Sequence, residues 1–113
     1  MAGRKRNWSG AGSGADTTVV ELQDIDDLNR FTIQTLTGSV RVLGSIDGTT
    51  FPQQLVLSME PLIAGDSVTE PEGTFVAVTT AGRFAYFFGE YKKIRITQVG
   101  GTGASVKVFG TEL

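Results

Sequence analysis

The chain is punctuated too often for long helices and alternates too regularly for a random coil. From Thr17 onward, apolar and polar residues alternate in short runs, most of them ended by Gly, Pro, Asp or Asn. A two-residue period puts one set of side chains on each face of a strand. Phe31 and Ile33 alternate with Thr32 and Gln34, and Val40 and Val42 flank Arg41. Ile94 and Ile96 flank Arg95, while Val106 and Val108 flank Lys107. Further strands are expected over Thr17–Gln23, Gln54–Met59, Leu62–Val68, Thr74–Thr80 and Phe84–Phe88. Asp24 to Asn29 reads as a polar turn, Asp47-Gly48 as a hairpin signal, and Glu70-Pro71-Glu72-Gly73 as a loop. Gly38 and the run Gly100-Gly101-Thr102-Gly103 are expected to end strands. About eight strands at ~10-residue spacing predict an all-β, antiparallel β-sandwich, most simply an eight-stranded jelly roll.

At 113 residues the chain is expected to form one domain. Residues 17–113 would be the sandwich, and residues 1–16 an extended, flexible, basic Gly/Ser-rich arm. Residues 1–15 carry Arg4, Lys5 and Arg6 and no acid, so +3. The remaining seven bases and twelve acids leave residues 16–113 at −5, within a net charge of −2. A positive arm on an acidic body suits docking on an acidic partner surface. Arg4, Lys5, Arg6 and Trp8 are therefore the expected partner contacts, with Trp8 as an aromatic anchor. Three charges are few for nucleic acid, which is disfavoured as a partner. Removing Met1–Ala15 should then leave the fold intact and weaken attachment. No apolar run approaches the ~20 residues of a membrane span, so no membrane partner is expected. The basic N-terminus has no apolar stretch behind it and does not read as a secretory signal.

The chemistry available is narrow. The chain has no His and no Cys. Ser-His-Asp and Cys-His nucleophile systems are excluded, as are His or Cys zinc sites. A carboxylate pair drawn from Glu60, Glu70, Glu72 and Glu90 remains open, but these read as solvated turn residues, so no enzyme activity is expected. Asp24, Asp26 and Asp27 cluster without the spacing of a calcium loop, so no metal is expected. The glycine runs do not open a helix after a parallel strand, which removes the reason for phosphate binding, and no cofactor is expected. Phe84, Tyr86 and Phe88 should share one strand face, with Phe87 on the other. Those aromatics, with Tyr91, suit core packing, a subunit interface or a sugar-stacking platform.

Two segments carry a resemblance. Val42–Phe51, VLGSIDGTTF, resembles a strand-turn element of discoidin-like and galactose-binding-like sandwiches. Tyr91–Gly110, YKKIRITQVGGTGASVKVFG, resembles their closing strand pair, in which Arg95 would be structural. The short length, basic arm and Gly/Thr/Val-rich strands also resemble small decoration or cement proteins of tailed bacteriophages. That resemblance implies a virion structural protein on the capsid exterior. It would clamp neighbouring major capsid proteins as a homo-oligomer, with a trimer favoured. The alternative is a carbohydrate-binding module or a phage tail or baseplate subunit, stacking sugars on Tyr86 or Tyr91.

Overall fold

The computed structural model describes residues 4–51, 53–55, 57–59, 75–76, 79–80 and 82–112. Those residues are all-β and contain no helix. Two long strands organise them, β3 (Arg30–Ser45) and β9 (Lys93–Thr111). They pair antiparallel from Arg30 opposite Thr111 to Ser45 opposite Lys93. On the free side of β9, β1 (Lys5–Ala11) pairs with the C-terminal half and β2 (Thr18–Leu22) with the N-terminal half. On the free side of β3, β8 (Phe84–Phe88) pairs with the first half, and β4 (Gln53–Gln54) and β7 (Thr79–Thr80) with the second. β5 (Leu57–Met59) joins β8 to β6 (Phe75–Val76). The hydrogen-bonded order is β1-β9-β3-β8-β5-β6, and every described pairing is antiparallel.

The all-β antiparallel class is as expected, but two expected strand ends are bends. Gly38 lies inside β3, and Gly100 to Gly103 lie inside β9. The β3–β9 register shifts repeatedly between Thr35 and Val40, the mark of a bulged, bent pair. Gly38 has φ +72°, and a Cβ there would sit 2.9 Å from that of Ala104. A glycine is needed, but to bend the strand rather than to stop it. Long bent strands thus replace pairs of the short ones expected, and the network does not identify an eight-stranded jelly roll. The expected strand Leu62–Val68 and the loop Glu70–Gly73 lie outside the described residues.

Both halves of the bent sheet feed one core. Val40, Val42, Ile94 and Ile96 come from one half, and Phe31, Ile33, Val106 and Val108 from the other. Phe31 stacks on Phe87 at 5.2 Å between centroids. Burial of each such side chain stabilises by about 1.5–3 kcal/mol. The segment from Asp24 to Asn29 is more than a polar turn. Ile25 and Leu28 are fully buried and plug one end of the core, with Leu28 N–H donating to the Ile25 carbonyl at 2.9 Å.

The arm is also different from expectation. Lys5–Ala11 is a sheet strand, with Trp8 opposite Val108 and Gly10 opposite Val106. Lys5, Asn7 and Ser9 face outward, while Arg6, Trp8 and Gly10 are half-buried. Trp8 packs at the margin of the core and lies over Gly110, where a Cβ would come 3.1 Å from the indole. Glycine and serine suggested flexibility, but hydrogen bonds to β9 and burial of Trp8 offset the entropy cost of ordering them.

Candidate functional site

The outward face of β8, β3, β9 and β1 carries the most distinctive surface among the described residues. Cross-strand register sets it in rows. Phe88, Arg30, Thr111 and Lys5 lie side by side. Tyr86, Thr32, Phe109 and Asn7 form the next row, and Phe84, Gln34, Lys107 and Ser9 the third. Strand alternation sends Phe31, Ile33, Ala85, Phe87, Val106 and Val108 inward, which leaves these rows facing out. Leu36 continues the outward column of β3. Of the five exposed large apolar side chains described, Leu36, Phe84, Phe88 and Phe109 lie on this face and Ile46 does not. Apolar side chains gathered on one face call for an explanation that scattered ones do not. Asn7, Thr32, Gln34, Lys107 and Phe109 surround a shallow depression of about 250 Å³.

Arg30 is the cation of the first row. Its guanidinium carbon lies 5.5 Å from the Tyr86 ring centroid and 5.7 Å from that of Phe88. Its Nε is shielded from solvent and has no hydrogen-bond partner among the described residues. Two cation–π contacts hold the side chain over the face. Tyr86 and Phe88 meet edge to face, with their planes 85° apart. A flat sugar-stacking platform needs coplanar exposed rings, and this pair does not supply one. Tyr91 is half-buried against the core, edge-on to Phe87 at 6.3 Å, and burial raises its phenol pKa.

The residues expected to reach a partner are largely occupied within the chain. Arg4 pairs with Asp27 through Nη1. That hydrogen bond raises the Arg4 pKa and holds the Asp27 carboxyl below its ordinary value. Arg6 donates from Nη1 to the carbonyls of Gln23 at 2.9 Å and Asp24 at 2.8 Å. The same guanidinium lies 4.8 Å from the Trp8 ring centroid. Arg4 and Arg6 therefore tie β1 to the turn that carries the acidic cluster. Lys5 is exposed in the outward face beside Thr111.

Other candidates find structural roles or fall outside view. Asp47 accepts hydrogen bonds from Ser45 Oγ, Thr49 N and Thr50 N at 2.7–2.8 Å. Those backbone N–H groups hold its pKa well below the usual carboxylate range. Arg95 donates to Glu21 at 2.9 Å and lies 4.1 Å from the Phe51 ring centroid. Glu90 is exposed, and Glu60, Glu70 and Glu72 lie outside the described residues. Among the described residues no three acids gather in a way that could hold a metal ion.

Sequence reasoning found the split of Phe84, Tyr86 and Phe88 from Phe87 but missed Arg30. The available signal was its place two residues before Thr32 in an alternating strand. Its pairing with Phe88 is a long-range register that no local pattern reveals.

No known protein family matches the sequence. No curated protein matches it either. Solved structures do match. The crystal structure of the SPBc2 prophage-derived protein YomS aligns with a TM-score of 0.65 at 12% identity, covering 97% of this chain and 95% of that one. The crystal structure of the PBSX exported protein XepA aligns with a TM-score of 0.66 at 16% identity. It covers 97% of this chain but 38% of that chain, so the likeness is to one part of it. At these identities what is shared is the fold.

Proposed function

We propose that this chain is a non-enzymatic structural subunit of a phage-derived particle, attached through the outward face of β8, β3, β9 and β1. The gathering of Leu36, Phe84, Phe88 and Phe109 on that face, with Arg30 framed by Tyr86 and Phe88 at one end of it, carries the reading. Aromatic and arginine side chains at the centre of a patch are what protein interfaces enrich. The shared fold with a prophage-derived protein along nearly its whole length supports the setting. In the finer form of the proposal, the chain is a capsid decoration or cement subunit on the capsid exterior. Copies assemble as a homo-oligomer, a trimer, and bridge neighbouring major capsid proteins. Each bridge adds an interface that internal pressure must break before the shell opens, and ~1,600 Å² of buried surface is enough for specific attachment.

Quantitative mass spectrometry of purified particles tests this reading. The expected result is hundreds of copies of this chain per particle, measured against the major shell protein. A few or a dozen copies would move the subunit to the tail or neck. Absence from particles would overturn the proposal.

A further inference from the structure

We infer that the partner of the outward face is an acidic protein surface, and that Arg30, framed by Tyr86 and Phe88, receives one of its carboxylates. This rests on the docking role proposed above and adds the chemistry of the partner. The register positions of the face hold Lys5, Arg30 and Lys107 and no Asp or Glu. That is unusual for this chain, whose acids outnumber its bases by twelve to ten. Four cations elsewhere meet acceptors of their own, although Arg41 Nε, like Arg30 Nε, is buried with no hydrogen-bond partner among the described residues. Arg4 has Asp27, Arg6 has two carbonyls, and Arg95 and Lys93 share Glu21. Arg30 has aromatic rings instead, with no acceptor for its buried Nε among the described residues.

A guanidinium in that state is prepared for a carboxylate. It is planar, weakly hydrated and already positioned, so less side-chain freedom is lost on pairing. Arginine binds carboxylates bidentately, and such charge-assisted hydrogen bonds are stronger than neutral ones. Tyr86 and Phe88 beside it would exclude water from the pair, and Phe84 and Phe109 farther along the face would supply apolar contact. A polynucleotide suits this face less well. Its affinity grows with the number of phosphates neutralised, and the face offers three cations spaced among phenylalanines.

The test uses the full chain, labelled with nitrogen-15, titrated with an octaglutamate peptide and separately with a single-stranded octadeoxythymidylate. The peptide should shift the amides of Arg30–Gln34, Phe84–Phe88 and Lys107–Phe109. Its affinity should fall at least five-fold in Arg30→Gln and in Lys107→Glu. Lys107 is exposed, so the second variant keeps the test valid if the first folds poorly. Arg4→Gln should leave that affinity unchanged. Shifts confined to the Arg4–Arg6 region, or native affinity in both variants, would overturn the inference. Tighter binding of the oligonucleotide at this face would also overturn it and make nucleic acid the partner. Concentration-dependent dimerisation lost in Lys107→Glu would overturn it in favour of a second copy of this chain. None of these failures changes the copy number in particles, so the structural reading is judged separately.

Discussion

Gly38 has φ +72° where β3 bends, and the space beside it is filled by Ala104 and the backbone of Gly103. A side chain there is strained twice, by its backbone angle and by contact. Gly38→Ala should destabilise the domain by about 1–3 kcal/mol, read from denaturant midpoints at constant m-value. Asp47 gives a pH prediction. Its folded pKa lies below the unfolded one, so its contribution is present above an ordinary Asp pKa of 3.8 and is lost as pH falls below it. Asp47→Ala should lower the melting temperature at pH 7, and the gap from the native chain should hold down to about pH 4 and narrow only below 3.8. Asp27, held down by Arg4, acts with the same sign. A gap that stays constant from pH 7 to pH 2 would contradict the assignment. The Asp47-Gly48 turn was legible in the sequence because its bonds close within three residues, and Gly48 has φ +84°. Arg30 was not legible, because its role depends on Phe88 across a strand pairing of distant residues.

At the level of elements, the strand pattern was legible wherever period-two alternation was local. β8 was found with its bounds intact, and β2 within a residue or two. What failed was the meaning of glycine. Gly38 and the Gly100–Gly103 run looked like ends because a bulge and a turn draw on the same residue type. Gly10 and Gly12 looked like linker for the same reason, although β1 is an outer strand of the sheet. A consequence reverses the expectation for residues 1–15. Removing Met1–Ala11 strips the C-terminal half of β9 of its outer neighbour and uncovers the core margin under Trp8. The truncated chain should therefore unfold at lower temperature or aggregate, rather than keep its fold. Trp8→Ala alone should cost about 2 kcal/mol, roughly half the value for a fully buried aromatic. In a domain of this size that lowers the melting temperature by about 8 °C. An unchanged melting curve for the truncated chain would restore the free arm.

The molecule is a slab of 40 × 34 × 22 Å, so its broad faces dominate its surface. A face of that size accommodates the ~800 Å² per partner of a standard interface. The apolar side chains exposed on it are set by strand alternation, and the core beneath is packed independently of them. Changing the outside of the face should therefore change attachment without changing the fold. The most direct measurement is co-sedimentation of the purified chain with particles assembled without it, comparing the native chain with the Phe84→Ser/Phe88→Ser double variant. The account predicts at least ten-fold weaker binding of the double variant, with a melting temperature close to that of the native chain. Equal binding of the two proteins to the particles would contradict it.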